Sequence, residues 1–349
     1  PQGITVVIAA FLPIIAIVAM GPAVPGMIEH FSFFSEARAK VPAMIGAPGL
    51  AMAILAPFAG ILVDRFGRRP ILLVSLLAVT DPSAIAARVD GVLAFLLDNL
   101  DHIYTSRLLL GVSEAGILTV VNTLIGDYWD EKGRKNWLFL QGMLGPFIAA
   151  IFSLIVGYAS KMQWNGVFFV YLVAVPIWAA MMVWLFEPKK QEAQTEARSA
   201  SPPGTAFPWA SALQIAAVTL FASMLYYVFI INGALVFKEV GVTEPVRYAA
   251  LIFVPSLFIL AGAALFRLLA MRDNMLQLGT MFLLLGAGLA GIGLATTVPM
   301  MIAALVVQQT AAGMAVPTLI AWAQSKFGYE HRGRAMGIWT GAFFLGQSQ

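Results

Sequence analysis

The feature that most constrains this chain is a succession of long apolar runs with almost no charged residues inside them. An α-helix needs about 20 mainly apolar residues to cross a bilayer. Eleven runs of about that length lie at 4–25, 41–63, 70–97, 103–127, 136–160, 166–186, 209–236, 246–270, 275–297, 299–325 and 334–349. The runs are continuously apolar and rich in Leu, Ala and Gly. Apolar and polar residues do not alternate in them, which argues against an outer-membrane β-barrel. The sequence therefore predicts an all-α polytopic membrane protein.

The composition excludes the other broad classes of protein. Of the 349 residues, 60% are hydrophobic and only 11% are charged, whereas soluble domains carry about 25% charged residues. Cysteine is absent, which excludes a secreted disulfide scaffold, and the excess of apolar residues excludes disorder. The net charge is only +3 and the Lys and Arg residues sit in short loops, so we expect no nucleic-acid partner.

One long polar stretch, EPKKQEAQTEARSASPPGTAFP, interrupts the apolar runs at 187–208. Its Lys, Glu, Ser and Pro are typical of a solvated linker. It divides the chain into an N-terminal six-helix bundle, 1–186, and an incomplete C-terminal bundle, 209–349. Most of the Lys and Arg residues in loops lie on the same side of the membrane as this linker. The positive-inside rule therefore predicts that the linker and the N-terminus are cytoplasmic. We expect a multi-pass protein of the cell (inner) membrane.

A repeat relates the two halves of the chain. The fourth span ends in Asp130-Glu131-Lys132-Gly133-Arg134-Lys135, the tenth ends in Tyr329-Glu330-His331-Arg332-Gly333-Arg334, and the two glycines are 200 residues apart. Parallel repeats of this kind occur in one large class of transporters. Two six-helix halves require twelve spans and the sequence supplies eleven. We therefore expect the native protein to continue for about 40 residues past Gln349, enough for one more span and its flanks.

The sharpest local motif is GILVDRFGRRP, from Gly60 to Pro70, between the second and third runs. Gly67 permits a tight turn in so short a link. Asp64 is an acid at a membrane edge, where it can meet a helix N-terminus or a basic partner. The cations that anchor the segment at the cytoplasmic face are Arg65, Arg68 and Arg69. The alternative interpretation is a positively charged loop that only sets the topology.

This motif resembles the signature of the major facilitator superfamily between its second and third helices, G-x-L-x-D-R-x-G-R-R/K. A second resemblance is Arg107 to Gly111 in the fourth run, which is similar to the family's R-x-x-x-G. The counterpart of the first signature in the second half, Leu265 to Asp273, is degraded. The resemblance covers the whole chain in layout, but the motifs lie mostly in the first half.

A third motif of the family is matched only in part, by Gly142, Gly145 and Pro146 in the fifth run. Exporters in the family usually carry a fuller Gly-Pro-x-x-Gly motif there. This departure weakens the expectation of an antiporter without removing it, because the following Ala149 and Ala150 also permit close helix packing. A simple kink is the alternative interpretation of the Gly145-Pro146 pair.

The resemblance implies two six-helix bundles around a central cavity, with transport by alternating access. It also implies that one group of residues acts as a conformational switch: Gly60, Asp64, Arg65, Gly67, Arg68, Arg69, Gly145 and Pro146. In the family the acid of the first motif is thought to hold one conformation by contacting the opposite bundle. Here its partner is expected at the start of the eleventh span, near Arg334 to Gly337.

The third run departs from the family pattern. It contains Asp81-Pro82-Ser83 and Arg88-Val89-Asp90, and it is several residues longer than the family pattern. Charges and Pro inside a span are costly unless they face protein or water. We interpret this region as a local insertion, a helix break or a sequence error in preference to a functional Arg88–Asp90 pair.

Ionisable residues inside a membrane are candidates for function. Glu114 lies at the centre of the fourth run, and Arg107, seven residues earlier, shares its helical face. A charged acid at mid-membrane costs about 2.5–3.5 kcal/mol, which protonation avoids. We therefore predict that Glu114 and Arg107 couple transport to protons. The alternative is a structural polar cluster that joins helices.

The remaining hydrogen-bonding residues inside the runs are candidates for lining a substrate cavity between the halves, because buried polar groups need partners. They are Asn122, Tyr226, Tyr227, Asn232, Gln308 and Gln309. The alternative for each residue is a hydrogen bond that only holds neighbouring helices together.

No enzyme motif is present in the sequence. His30, His102 and His331 lie at loop edges without metal-ligand spacing, and no phosphate-binding glycine motif indicates the use of ATP. We expect no catalytic residue, metal or cofactor, and a monomer in the lipid bilayer. The expected function is proton-coupled export of a small apolar or amphipathic compound. The alternatives are proton-coupled uptake of a small organic acid or metabolite, with Arg107 as its partner, and a non-transporting membrane sensor.

Overall fold

Every regular secondary-structure element among the described residues of the computed structural model is a helix, which confirms the all-α prediction. The structure describes residues 2–13, 15, 27–80, 99–162, 166–188, 207–242, 245–270 and 272–347. The predicted insertion at 81–90, with the Arg88–Asp90 pair, lies outside the described residues.

The helices follow the predicted runs in order. Those of the first half are α1 (Gln2–Ala9), α2 (Ala37–Phe66), α3 (Arg68–Thr80), α4 (Leu100–Tyr128), α5 (Glu131–Met162) and α6 (Ala174–Trp184). Those of the second half are α7 (Trp209–Glu239), α8 (Pro245–Leu268), α9 (Asn274–Leu294), α10 (Val298–Ser325) and α11 (Tyr329–Gln347). Six of the described helices, α2, α4 and α7 to α10, are long and apolar enough to cross a membrane.

Several predicted boundaries differ from the structure, among them those of the sixth and eleventh runs. The sixth run, expected as one span over 166–186, is a 3-10 helix over Gly166–Val173 followed by α6. Pro176 lies in the first turn of α6, where its missing N–H costs nothing, so the α-helix starts just before it. The eleventh helix begins at Tyr329 and not near 334, because the polar turn after α10 is already helical.

Within the first half, α4 is the central helix. It packs on α2 and α3, and 78% of its apolar stretch is buried, against 22–44% for the other five apolar helices. Polar side chains on α4 therefore face protein and not lipid. In the second half α10 takes the corresponding place, packed on α8 and α9.

The two halves meet along two sets of helices. α2 and α4 of the first half pack against α11 of the second, and α5 packs against α8 and α10. The linker side is defined here as the end of the bundle where Glu187 and Phe207 lie, next to the ends of α2 and α4 and the start of α11. Several close contacts between the halves lie on this side.

Candidate functional site

Asp64, at the end of α2, accepts three hydrogen bonds from the first turns of α11. Its Oδ1 accepts from the Gly333 backbone N–H at 2.9 Å, and its Oδ2 accepts from the Arg334 backbone N–H at 2.9 Å and from Arg334 Nε at 3.1 Å. The first N–H groups of a helix have no partner within the helix and carry its positive dipole end. The contact expected between Asp64 and the start of the eleventh span is thus confirmed.

A second acid, Asp127 at the end of α4, lies between two arginines from different elements. Its Oδ2 accepts from Arg68 Nε at 2.9 Å, and its Oδ1 pairs with Arg332 of α11. The Asp127 side chain is fully buried, and both arginines are also buried. Arg332 further donates to the Gly126 carbonyl at 2.6 Å, one of the unpaired carbonyls at the end of α4. We call Asp64, Arg68, Asp127, Arg332 and Arg334 the linker-side clasp.

The turn before α3 is held by Glu187, from the segment after α6. Its carboxylate accepts from the backbone N–H groups of Arg68 at 2.8 Å and Arg69 at 2.7 Å. An acid at this position satisfies unpaired donors and faces the positive end of the helix. Gly67, at φ +96°, adopts the left-handed conformation that the tight turn between α2 and α3 requires.

Tyr329, the first residue of α11, covers the Arg68 guanidinium. The guanidinium carbon lies 3.9 Å from the centre of the Tyr329 ring, a cation–π distance. The Tyr329 hydroxyl donates a hydrogen bond to the Pro188 carbonyl at 3.1 Å. Arg68 is thereby enclosed by residues of both halves.

Small residues allow α2 and α11 to touch through their backbones beside the clasp. We call this contact the seam. It consists of Ala53, Ala56 and Gly60 on α2 with Gly333, Gly337 and Gly341 on α11. A Cβ added to Gly60 would lie 2.5 Å from the Gly333 carbonyl oxygen and 2.9 Å from Arg334 Cα, so no side chain fits there. The spacing of four residues between the α11 glycines is the small-xxx-small pattern of close membrane helices.

Replacing Gly60 by Ala is expected to separate α2 from α11 and to lower thermal stability. The added methyl group meets backbone atoms, which cannot move aside, and overpacking of this kind costs about 1–3 kcal/mol. Thermal unfolding in detergent measures the effect. Gly46→Ala is the matched control, because a Cβ at Gly46, on the same helix, meets no atom within 4 Å. An equal effect of the two substitutions would contradict the prediction.

The other predicted switch residues have different surroundings. Arg65 is exposed, with its guanidinium 5.4 Å from the Phe66 ring. Arg69 donates from Nη2 to the Met182 carbonyl at 3.0 Å, which ties α3 to α6. Gly145 faces the space between the halves, 3.5 Å from the Phe11 ring when a Cβ is placed on it. The side chain of Pro146 lies outside the described residues.

The repeated turns make related contacts on the linker side. While the turn of Gly333 receives Asp64, the turn of Gly133 leads to Lys135, whose ammonium donates to the Ala270 carbonyl just after α8. Lys135 is buried and also pairs with Glu131 at 2.8 Å. In the first case a carboxylate of the first half accepts from backbone N–H groups of the second half. In the other case an ammonium group of the first half donates to a backbone carbonyl of the second half.

Arg107, from α4, is enclosed within the first half. It is fully buried, donates from Nη1 to the Tyr171 hydroxyl at 2.7 Å, and lies 4.9 Å from the Phe168 ring. Both aromatic residues belong to the 3-10 helix before α6. The guanidinium is therefore desolvated and oriented by aromatic groups, which strengthens its interaction with a nearby negative charge.

Glu114 lies two turns further along α4 and is 1% exposed. Its Oε2 is buried and has no hydrogen-bond partner among the described residues. A buried carboxylate without such partners is costly to keep charged. The structure thus brings Glu114 and Arg107 to the same buried side of α4, as their spacing predicts.

A cavity of about 270 Å³ lies between the two halves. Phe11 and residues of α5, α7, α8 and α10 form its described wall, which contains no charged side chain. The two hydrogen-bonding side chains in this wall are Gln141 and Tyr226. Gln141 Oε1 is buried and has no partner among the described residues, so it is free to accept a hydrogen bond from a ligand. We call this space the central cavity.

Of the predicted cavity residues, Tyr226 lines the central cavity and Tyr227 packs behind it, with ring centres 5.0 Å apart. Asn232 is exposed and donates to the Val228 carbonyl on its own helix. Gln308 packs against Gly288 of α9. These two side chains therefore do not contribute to the described wall.

Gln309 and Asn122 also lie outside this wall. Gln309 donates to Gln308 Oε1 at 3.0 Å. The Asn122 side chain is fully buried and has no partner among the described residues, while its backbone carbonyl accepts from Gln324 of α10. Asn122 therefore marks a contact between the halves near the clasp and not the wall of the cavity.

Sequence relatives include the efflux pump dotC of Dothistroma septosporum, 28% identical over 166 residues. The match covers 47% of this chain and 27% of dotC. The class B tetracycline resistance protein of Escherichia coli is 27% identical over 176 residues, which are 50% of this chain and 42% of the relative. The matched segments thus span less than half of the length of these relatives.

Two solved structures have the same fold. The crystal structure of the human organic anion transporter MFSD10 (TETRAN) matches with a TM-score of 0.78 and 17% identity over 100% of this chain and 92% of that one. The proton:xylose symporter XylE matches with a TM-score of 0.78 and 12% identity over 99% and 86% of the two chains. The sequence model of the Major Facilitator Superfamily matches residues 6–348. This multi-pass membrane protein therefore belongs to the major facilitator superfamily.

Proposed function

We propose that this protein is a secondary transporter that exports a small apolar or amphipathic compound in exchange for protons. The observation that carries the proposal is the central cavity, whose described wall is uncharged and offers one buried acceptor, Gln141 Oε1, and one tyrosine, Tyr226. A pocket of this kind suits an apolar ligand with few polar groups. The similarity to an efflux pump and to a tetracycline resistance protein supports the same direction of transport.

Transport would proceed by alternating access between the two halves. The clasp and the seam join the halves on the linker side, so this arrangement is closed there. The distribution of Lys and Arg supports a cytoplasmic position for that side. Release of Asp64 from α11 and of Asp127 from Arg332 would then open the central cavity to the cytoplasm.

Glu114 is the proposed proton carrier. Its carboxyl group is buried in the first half and lacks a hydrogen bond at Oε2, so its charge can change with access to water. Arg107, held by Tyr171, would stabilise the deprotonated form. Binding and release of a proton would thereby follow the access of water to the interior of the first half.

Uptake of a small organic acid is the second candidate function. The buried guanidinium of Arg107, which is preorganised by Tyr171 and Phe168, favours it because a carboxylate ligand could replace the hydroxyl contact. Export nevertheless fits better, since Arg107 is not part of the described wall of the central cavity.

Proteoliposomes that contain a pH-sensitive dye distinguish the two functions. Apolar amphipathic compounds and small organic acids are added outside, and the direction of proton movement is recorded. Protons that move opposite to an apolar compound support export, and protons that enter with an organic acid support uptake. Liposomes without protein are the control. Both functions would be contradicted if neither class of compound moved protons and if the substrate flux were no larger than in liposomes without protein.

Replacing Asp64 by Asn is expected to slow transport while substrate binding is retained. The amide keeps one acceptor but loses the charge that faces the α11 N-terminus and Arg334, so the closed linker side becomes less stable. Turnover in proteoliposomes and accessibility of a cavity probe measure the effect. Asp273→Asn, in the corresponding loop of the second half, is the control. Unchanged turnover and unchanged accessibility in Asp64→Asn would contradict a role as a switch.

A further inference from the structure

Polar side chains lie on the face of α4 that meets the second half. Thr119, Asn122 and Gly126 follow one another at spacings of three and four residues, so they share one side of the helix. Gly126 shows where this side points, because a Cβ placed on it would lie 3.2 Å from Gln324 Cδ of α10 and 2.7 Å from Arg332 Cδ of α11. Thr119 and Asn122 are fully buried. This face of α4 is therefore directed at the other half of the protein.

Gln324 of α10 continues the wall of the central cavity towards the linker side. It lies four residues after Ile320, which lines that cavity, and so occupies the next turn on the same face of α10. It is 1% exposed, and its amide donates across the interface to the Asn122 carbonyl. We call Thr119, Asn122 and Gln324 the polar layer. Because the clasp residue Asp127 follows about one turn further along α4, the polar layer lies between the central cavity and the clasp.

The polar layer is closed without pairing most of its hydrogen-bonding groups. Four of its buried side-chain atoms have no partner among the described residues: Thr119 Oγ1, Asn122 Oδ1 and Nδ2, and Gln324 Oε1. A buried polar group that is left unpaired has lost its bonds to water without replacement, which is costly. Water would supply these bonds as soon as α4 and α10 part. The polar layer is therefore least stable in the arrangement that the clasp holds closed.

From this opposition we infer that the polar layer counteracts the clasp and favours opening of the linker side. The clasp holds the halves together through buried ion pairs and contacts to a helix N-terminus. A carrier that alternates between two arrangements needs them to be close in free energy, since a large difference leaves one of them almost unpopulated. The unpaired groups of the polar layer reduce this difference. Such a role presupposes the alternating access proposed above, but neither proton coupling nor a particular compound.

Removing the unpaired groups is therefore expected to make the closed protein more stable. Gln324→Met and Asn122→Leu keep the shape of the side chain and lose its polar atoms. The Asn122 carbonyl lies within α4 and keeps its helical hydrogen bond when the Gln324 amide is lost. Both variants should unfold at a higher temperature than the wild type in detergent. Gln277→Met is the matched control: Gln277 is also 1% exposed, but its amide donates to the carbonyls of Leu269 and Arg272, so its loss should lower the unfolding temperature.

Hydrogen exchange at the start of α11 measures the opening of the linker side without any substrate. The backbone N–H groups of Gly333 and Arg334 are bonded to Asp64, so they exchange when α11 leaves α2. Exchange in a peptide that contains both groups is expected to be about fivefold slower in Gln324→Met than in the wild type, the effect of removing one unpaired buried group. In Gln277→Met it should not become slower.

Two results would overturn the role of the polar layer. A loss of stability in both Gln324→Met and Asn122→Leu, as in the control, would show that bound water already satisfies these groups. Exchange at Gly333 and Arg334 that is as fast in Gln324→Met as in the wild type would show that the layer does not affect opening. A protein that gives both expected results but moves no compound in liposomes would contradict the proposed export and still support the role of the polar layer.

Discussion

Replacing Glu114 by Gln abolishes proton-driven accumulation of substrate but leaves substrate exchange intact. Gln resembles the protonated acid in shape and cannot release a proton, so the carrier would remain in one protonation state. The buried position of Glu114 and its unpaired Oε2 mean that a charged carboxylate is costly there, about 2.5–3.5 kcal/mol on insertion scales. That cost is absent in the Gln variant, so folding and ligand binding should be retained.

Proteoliposomes loaded with substrate and placed under a pH gradient provide the measurement. Accumulation and exchange are recorded for the wild type and for Glu114→Gln across a range of pH. Glu239→Gln is the control, because Glu239 is an exposed acid at the end of α7. Accumulation by Glu114→Gln as large as that by the wild type would leave Glu114 with a structural role only.

Replacing Asp127 by Asn is expected to give the largest loss of stability. The change leaves Arg68 and Arg332 buried without their shared counter-charge. Removing one member of a buried ion pair costs about 3–5 kcal/mol, because the remaining charge is desolvated and uncompensated. The loss should also open the linker side, since Arg332 belongs to α11 and Asp127 to α4.

Thermal unfolding in detergent tests this expectation. Asp130→Asn is the matched control, because Asp130 is exposed and caps the turn of Gly133, a role that Asn also fills. The double variant Asp127→Asn/Arg332→Gln removes one uncompensated cation and should recover part of the lost stability. The losses of stability of the two single variants are added to predict that of the double variant. If the double variant is no more stable than this sum predicts, an uncompensated charge does not cause the loss in Asp127→Asn.

The contact of Asp64 could be predicted from sequence because three independent features agree. The motif places an acid at a helix end, the N-terminus of a helix attracts a carboxylate, and the resemblance to the major facilitator superfamily places the partner on the opposite bundle. The hydrogen bonds to Gly333 and Arg334 follow from this combination. The four-residue spacing of Gly333, Gly337 and Gly341 also indicates a close approach of helices, but the seam itself was not predicted.

The contacts of Asp127 in the clasp and of Glu187 at the turn before α3 could not be predicted from the sequence. Each is a single acid between an apolar helix and a polar loop, and no spacing distinguishes it from other loop acids. Their partners lie 59 and 119 residues away along the chain, so only the assembled fold identifies them. The same holds for Lys135 and the Ala270 carbonyl.

The cavity residues were predicted less well for a different physical reason. Helices such as α7 and α10 are apolar on all sides, so hydrophobic periodicity does not fix their rotation about the helix axis. Tyr226 faces the central cavity, whereas Asn232, six residues later, points outward. Gln141 was missed because one polar residue at the linker end of a long apolar run is equally compatible with the loop, the lipid face and the interior.

The seam between α2 and α11 has a mechanical consequence. Sliding one helix along the other would move the glycines away from their close contacts and bring residues with a Cβ against a backbone that has no room for them, so rotation is the movement that remains. The seam begins at Ala53, which leaves the part of α2 from Ala37 as a rigid arm of about 24 Å at 1.5 Å per residue. A rotation of α2 by about 10° about the seam would move its end at Ala37 by about 4 Å. Small rotations at the linker side are thereby amplified at the opposite face of the membrane.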